Sequence, residues 1–243
     1  MSVPTLKVRE LGCRPYLETW QAMRAFTDRR GARTPDELWL LEHPPVYTQG
    51  LAGKPEHVLD AGDIPVIQTD RGGQITYHGP GQLVAYPLLD LDRLGLGIRS
   101  LVAMLETVTI ELLAGLGVSG QRKEGAPGVF VDGAKIASIG MKVRRGCTFH
   151  GLAFNIAMDL SPFARINPCG FAGQPMTRLA DIVDDPAGEN DVEAVGRLLA
   201  RRLAEAIGLD WGIEATHDEA HPLAAVTGTP GAESADHVES NET

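Results

Sequence analysis

One of the three cysteines among the 243 residues stands in a setting suited to nucleophilic chemistry. Cys169 lies in Ile166-Asn167-Pro168-Cys169-Gly170, outside any helical or alternating pattern. Pro168 fixes the incoming backbone, and Gly170 removes a side chain where a substrate carbonyl would approach. A buried structural cysteine normally sits within an apolar periodic run, and this one does not. Cys147, which follows Gly146 in a basic turn, is its rival, and Cys13 sits near the N-terminus. A free thiol of pKa ~8.5 is only slightly ionised at neutral pH, and each unit of lowering takes about 1.4 kcal/mol of preferential anion stabilisation. A nearby cation supplies that. The candidates are Lys135, set among the small and apolar residues Gly133, Ala134, Ile136 and Ala137, and His78 or His150.

The densest unusual segment is Arg71–Gln82, RGGQITYHGPGQ, where four glycines and one proline surround Arg71, Tyr77 and His78. Glycine lets backbone N–H groups approach a ligand, and Pro80 stiffens the turn. Two ordinary turns around a short strand would use the same residues, but Ile75 and Tyr77 beside Arg71 and His78 favour a pocket wall. The segment is neither GxxxxGK[ST] nor a GxGxxG opening a helix. HExxH and CxxC are absent and the histidines are scattered, so no metal site is expected. No pair of carboxylates stands out for glycosidase-type work.

The elements that must position these groups are legible from periodicity. Tyr16–Arg30 carries Leu17, Trp20, Met23 and Phe26 on one helical stripe, and Arg99–Leu113 and Val192–Ile207 are further helices, the last closed by Gly208. Glu37–His43, Val46–Thr48, Val66–Thr69, Ile75–Tyr77, Leu83–Leu91 and Phe149–Ala157 read as strands. Val129–Val131 and Lys135–Val143 flank Asp132-Gly133, a strong hairpin signal. Hairpin-linked strands with inserted helices imply an α+β fold around a mainly antiparallel mixed sheet flanked by helices.

A hydrophobic share of 43% and a charged share of 22% suit one globular domain with a sizeable core. No apolar stretch is long enough to span a bilayer, no signal core opens the chain, and the sparse cysteines argue for a reducing compartment. A cytoplasmic protein is expected. The net charge of −10 is uneven: residues 214–243 hold seven acids and no Lys or Arg, leaving 22 − 25 = −3 for residues 1–213. The expected organisation is therefore a globular unit over 1–213 and an acidic, disordered tail over 214–243. Arg122–Arg145 carries six basic residues against two acids, either a solvated face or a docking patch for an acidic protein. The acidic balance disfavours nucleic acid.

RGGQITYHGPGQLVAYPLLDL at Arg71–Leu91, KIASIG at Lys135–Gly140, HGLAFNI at His150–Ile156, NPCG at Asn167–Gly170 and LEHPPVYTQG at Leu41–Gly50 together resemble the lipoyl(octanoyl) transferases of lipoate biosynthesis, in order and in spacing. The resemblance covers about Val3–Trp211. It implies the fold of biotin and lipoate protein ligase catalytic domains. It also implies transfer of octanoyl from octanoyl-acyl carrier protein to a lysine on the lipoyl domains of oxoacid dehydrogenase complexes and the glycine cleavage H protein, the first step of endogenous lipoylation. By the same resemblance Cys169 is the nucleophile that carries the acyl thioester and Lys135 its partner. The acyl site is lined by Arg71, Gly72, Gly73, Gln74, Ile75, Thr76, Tyr77, His78, Ser138, Ile139, Gly140, Gly151, Leu152 and Ala153. Neither cofactor nor metal is implied. An ATP-dependent lipoate ligase and a non-catalytic lipoyl- or carrier-binding module are the rival readings. Neither accounts for the presence of both Cys169 and Lys135.

Overall fold

The computed structural model describes residues 5–168, 173–185, 191–214 and 221–225. The larger of two sheets contains β1 (Thr5–Cys13), β2 (Glu37–Glu42), β6 (Gln82–Leu88), β7 (Gly128–Val131), β8 (Ala134–Arg144), β9 (Cys147–Asn155) and β10 (Asp210–Ile213), in the order β10-β1-β2-β6-β9-β8-β7. Only the β10–β1 and β1–β2 pairs are parallel; the others are antiparallel. The smaller sheet orders β4 (Val66–Gln68), β3 (Val46–Gln49) and β5 (Ile75–His78), with β3 central. The expected α+β, mainly antiparallel architecture is what the chain adopts.

Helices cover both faces of the large sheet. Along α3 (Ile98–Gly115), Leu101, Leu105, Val108 and Leu112 recur at helical spacing, and α4 (Val192–Ile207) does the same with Val195, Leu199 and Leu203. Both stripes bury against Leu38, Leu40, Leu83 and Phe154 of the sheet. On the opposite face, α1 (Tyr16–Arg29) packs Met23 and Phe26 against Trp39, Leu41, Val84, Tyr86 and Phe149. A third cluster, Tyr47, Tyr77, Phe163 and Ile166, lies beneath the small sheet. The β7–β8 turn is the Asp132-Gly133 pair, with φ of 48° and 80°, the two left-handed residues of a type I′ turn.

Two elements differ from the sequence reading. β1 lies outside that reading although Leu6 and Val8 alternate with Lys7 and Arg9 as in a half-buried strand; what departs from the alternation is that Arg9 is itself buried, tolerated because its guanidinium is forked onto the buried Glu37 carboxylate at 2.8 and 3.1 Å. The expected strand Leu83–Leu91 ends at Leu88, because Asp90 accepts a hydrogen bond from the Arg93 N–H and starts the short helix α2 (Leu91–Leu94).

Within 214–243, the Glu214 N–H donates to the Val8 carbonyl, and Pro222–Ala225 form a 3-10 turn against α1. Leu223 is buried there. His221, between the rings of Phe26 and Trp39, approaches a Glu37 carboxylate oxygen at 3.1 Å. The reading of the whole segment as a disordered tail does not hold for these five residues: one leucine and one histidine find a slot already shaped by a buried carboxylate and two aromatic rings. Residues 215–220 and 226–243 lie outside the described residues. Among the described residues no helix is long and apolar enough to cross a membrane.

Candidate active site

A cavity of about 380 Å³, within the range of about 300–1,000 Å³ usual for small-molecule sites, is bordered by Tyr16 of α1, Tyr86 of β6 and Ile98 and Val102 of α3. Its floor is β8 and β9, where Gly140 and Gly151 face one another across the ladder. Both must be glycine for reasons of space. A Cβ at 140 would lie 2.8 Å from the Gly72 carbonyl oxygen, and one at 151 would lie 2.1 Å from that of Ala85. The bare Gly140 lets the Arg71–Gln74 loop sit on β8, where the Gly72 N–H donates to the Met141 carbonyl at 2.9 Å, and the bare Gly151 lets β9 close on Ala85 and Pro87 of β6.

Arg71 holds that loop to β3. Its guanidinium donates to the Thr48 carbonyl at 2.5 Å, to Thr48 Oγ1 at 3.0 and 3.2 Å, to the Gln74 carbonyl at 2.7 Å and to the Gly72 carbonyl at 2.9 Å. Thr48 passes the chain on. Since Oγ1 accepts from Arg71, its hydroxyl proton is directed at His78 Nε2, 3.1 Å away. His78 Nδ1 in turn donates to Gln82 Oε1 at 2.8 Å, an orientation set by the Gln82 amide, whose Nε2 donates to the Tyr77 carbonyl and to Asn155 Oδ1. Burial, helped by the nearby His43, pushes the His78 pKa well below its ordinary value. His78 is therefore a neutral ring with both nitrogens engaged.

His150 differs. It is buried, with φ of 59° in the middle of β9, and its Nε2 donates to Asp70 Oδ1 at 2.9 Å. The same oxygen accepts from Trp20 Nε1 at 2.9 Å. Burial lowers the His150 pKa although Asp70 opposes it. Among the described residues its Nδ1 has no hydrogen-bond partner, nor has Gln74 Oε1, and both residues line the cavity. A left-handed φ at a non-glycine residue costs roughly 1–2 kcal/mol. Here the Asp70 bond and the burial of the ring hold it.

Lys135 is 1% exposed and sits where β8 borders the cavity. Its Nζ lies 5.3 Å from the Phe130 ring centroid, a cation–π contact. Its backbone is clamped from outside the sheet: the Lys135 N–H donates to the Pro175 carbonyl at 2.8 Å, and the Thr177 N–H donates to the Lys135 carbonyl at 3.0 Å. Cys169 itself, with Gly170, lies outside the described residues. The chain just before it is tied elsewhere, the Asn167 N–H donating to the His57 carbonyl at 2.8 Å. The rival Cys147 is buried at the start of β9, is absent from the cavity wall, and has its thiol pKa raised by burial, which favours the inert thiol.

Of the acyl-site residues expected from the sequence, Arg71, Gly72, Gly73, Gln74, Ile75, Thr76, His78, Ser138, Ile139, Gly140, Gly151, Leu152 and Ala153 line this one cavity, with Lys135. Tyr77 does not; its ring packs on Tyr47 and Phe163 beneath the small sheet, because successive β5 side chains point to opposite faces. Sequence reasoning missed Tyr16, Tyr86 and Met141, and the Gly125-Ala126-Pro127 turn whose Gly/Pro pattern was a readable signal. The basic run Arg122–Arg145 does not form one patch: Arg122 is paired with Glu106, Arg144 with Asp28, and Lys135 is interior. Among the described residues no group of three or more His, Cys, Asp or Glu is arranged to hold a metal.

The family described as lipoyl protein ligase A/B catalytic domain matches residues 15–203. The chain is 62% identical over 177 residues to an octanoyltransferase of Alkalilimnicola ehrlichii, covering 73% of this chain and 82% of that one. It is 56% identical over 207 residues to an octanoyltransferase of Saccharophagus degradans, covering 85% and 96%. Among solved structures, a lipoate-protein ligase A bound with ATP superposes with a TM-score of 0.70 at 17% identity, covering 88% of this chain and 89% of that one. The bipartite lipoate protein ligase of Thermoplasma acidophilum gives 0.68 at 17% identity, covering 88% and 87%. These two likenesses establish a shared fold.

Proposed function

Since the chain belongs to the lipoyl protein ligase A/B catalytic-domain family and is an acyltransferase of its octanoyltransferase group, we propose that it moves an octanoyl group from the thioester of octanoyl-acyl carrier protein to a lysine of lipoyl domains, those of oxoacid dehydrogenase complexes and the glycine cleavage H protein. The Cys169 thiolate attacks the thioester carbonyl, the carrier leaves as its thiol, and the acyl group is held as a second thioester of similar energy. The lipoyl-domain lysine then attacks that carbonyl, the Cys169 sulfur departs, and an amide remains. As an ammonium Lys135 stabilises the thiolate and then gives its proton to the departing carrier sulfur; as the free amine so formed it accepts the attacking lysine's proton in the second half, which restores the ammonium beside the released Cys169 thiolate. No ATP is consumed, because the thioester already holds the activation. The reaction is placed in the cytoplasm.

One observation carries this reading: a wholly buried lysine borders a cavity lined largely by apolar residues and glycines, and its backbone is bonded to the segment that follows Pro168-Cys169-Gly170. The test is intact-mass analysis after mixing the protein with octanoyl-acyl carrier protein in the absence of ATP. One octanoyl adduct, mapped to Cys169 and released by hydroxylamine, is expected; an adduct on Cys147, or acylation that requires ATP, refutes the reading.

A further inference from the structure

Asn155 ends β9 and is 1% exposed, yet it does not border the cavity. Both ends of its amide are used. Oδ1 accepts from Gln82 Nε2 at 3.0 Å, and Nδ2 donates to the Thr177 carbonyl at 2.9 Å. The Gln82 amide cannot turn over without facing its own oxygen at the Tyr77 carbonyl and losing the His78 Nδ1–H bond, so the direction of the Asn155 amide is dictated from the interior. Thr177 is the residue whose N–H bonds the Lys135 carbonyl. Two residues of Pro175–Thr177 are thus bonded to Lys135 and one of them also to Asn155. The Ala180 N–H adds a bond to the Ile156 carbonyl at 2.9 Å.

Asn155 is the side chain that fastens this segment to the sheet from the β9 side; the bonds from Lys135 come from its backbone. Without the Asn155 amide, the half-buried Thr177 carbonyl loses its donor and Gln82 Nε2 keeps only the Tyr77 carbonyl, a loss of about 0.5–1.5 kcal/mol for each bond, so the segment shifts to find other partners. We propose that Asn155 is a positioning residue for acyl transfer: by holding Thr177, whose N–H bonds the Lys135 carbonyl, it fixes where Lys135 stands on the cavity wall. The proposal rests on the reading of Cys169 and Lys135 as the reacting pair.

The test measures two things on Asn155→Ala: turnover with a small octanoyl thioester as donor and a lipoyl domain as acceptor, and the pH midpoint of Cys169 alkylation in the folded protein. Thr109→Val, which removes a buried hydroxyl bonded to the Leu105 carbonyl in α3, serves as a destabilised control away from the cavity. For Asn155→Ala, kcat is expected to fall about tenfold or more (~1.4 kcal/mol) with KM within about threefold. The alkylation midpoint is expected to rise by roughly one unit toward ~8.5. Thr109→Val lowers the melting temperature and changes neither. If Asn155→Ala does not fold, the near-isosteric Asn155→Leu carries the same comparison, since it keeps the volume and has no proton for Thr177. An unchanged kcat and midpoint, or a raised KM at unchanged kcat, overturns the proposal. A midpoint that responds to Lys135→Met and not to Asn155 overturns this proposal alone; one that ignores Lys135→Met overturns the reading of the pair as well.

Discussion

Replacing Gly140 by alanine introduces one methyl group at the point where the Arg71–Gln74 loop meets β8. That methyl would stand 2.8 Å from the Gly72 carbonyl oxygen and 3.4 to 3.5 Å from Arg71 Cδ and Nη1. The nearest of these contacts is backbone, so no rotamer change relieves it. To regain an ordinary separation of about 3.4 Å, loop and strand must part by roughly 0.6 Å, which lengthens the Gly72–Met141 hydrogen bond beyond good geometry. Overpacking of this kind costs about 1–3 kcal/mol, and the bond itself is worth about 0.5–1.5 kcal/mol. A loss near 2 kcal/mol lowers the melting temperature by about 4–8 °C in a chain of this size. The functional effect should be larger in KM than in kcat, because the loop forms a cavity wall and does not hold Lys135. An increase of about tenfold in KM for a small octanoyl thioester is expected. Gly31→Ala is the control, since a Cβ there meets nothing within 4 Å. Calorimetry and steady-state kinetics on the two variants decide the matter. Unchanged melting temperature and KM in Gly140→Ala would show that the loop is not seated on β8 as described.

The other expectations concern charge. Lys135→Met should shift Cys169 alkylation to higher pH and slow acylation, whereas Lys135→Arg, which keeps a charge but cannot accept a proton, should still form acyl-enzyme and fail in transfer to the lipoyl lysine; unchanged turnover in Lys135→Met would end the assignment. Cys147→Ser should stay active, as single-turnover acylation will show, because its buried thiol lies off the cavity. For Glu37, burial pushes the pKa up, but His221, Arg9 and Trp39 outweigh it and hold the carboxyl at about 2. A depressed carboxylate stabilises the fold above its unfolded value, so on the order of 3 kcal/mol should be lost as pH falls from 4.5 toward 2. Urea melts of Glu37→Gln should show a flatter acid limb than the parent, and parallel limbs would contradict the account. Lys142, beside the cavity residue Met141 on β8, is a better probe of carrier docking than Arg144, which is spent on Asp28. Lys142→Glu should raise KM for an acidic carrier protein in a salt-dependent way, and equal effects on a small thioester would exclude a docking role.

What the sequence determined by itself was local. The period of 3.6 in α3 and α4, the Asp132-Gly133 turn with its two positive φ angles, and the glycine-dense Arg71–Gln82 stretch all follow from steric rules that act within a few residues. Of the candidate site, the residues alone singled out the Arg71–Gln82 stretch and left Cys169 beside Cys147 and Lys135 beside His78 and His150; the resemblance to octanoyltransferases supplied Ser138–Gly140 and Gly151–Ala153. Tertiary structure alone decided what depends on partners far along the chain. β1 is a strand because β2 and β10 pair with it, more than 200 residues apart at Leu6 and Trp211, and its Arg9 is bearable only beside Glu37. Tyr77 and His78 are adjacent in sequence, but only the fold sends one under the small sheet and the other into the cavity wall. His221 and Leu223 sit in an acidic stretch whose composition argues for solvation, and their slot exists only once α1 has packed on β2. The bonds that tie Asn155 through Thr177 to Lys135 join three segments with no common period. Local pattern reports what each segment can form. The pairing of distant polar groups, which must satisfy one another once water is excluded, settles where each one goes.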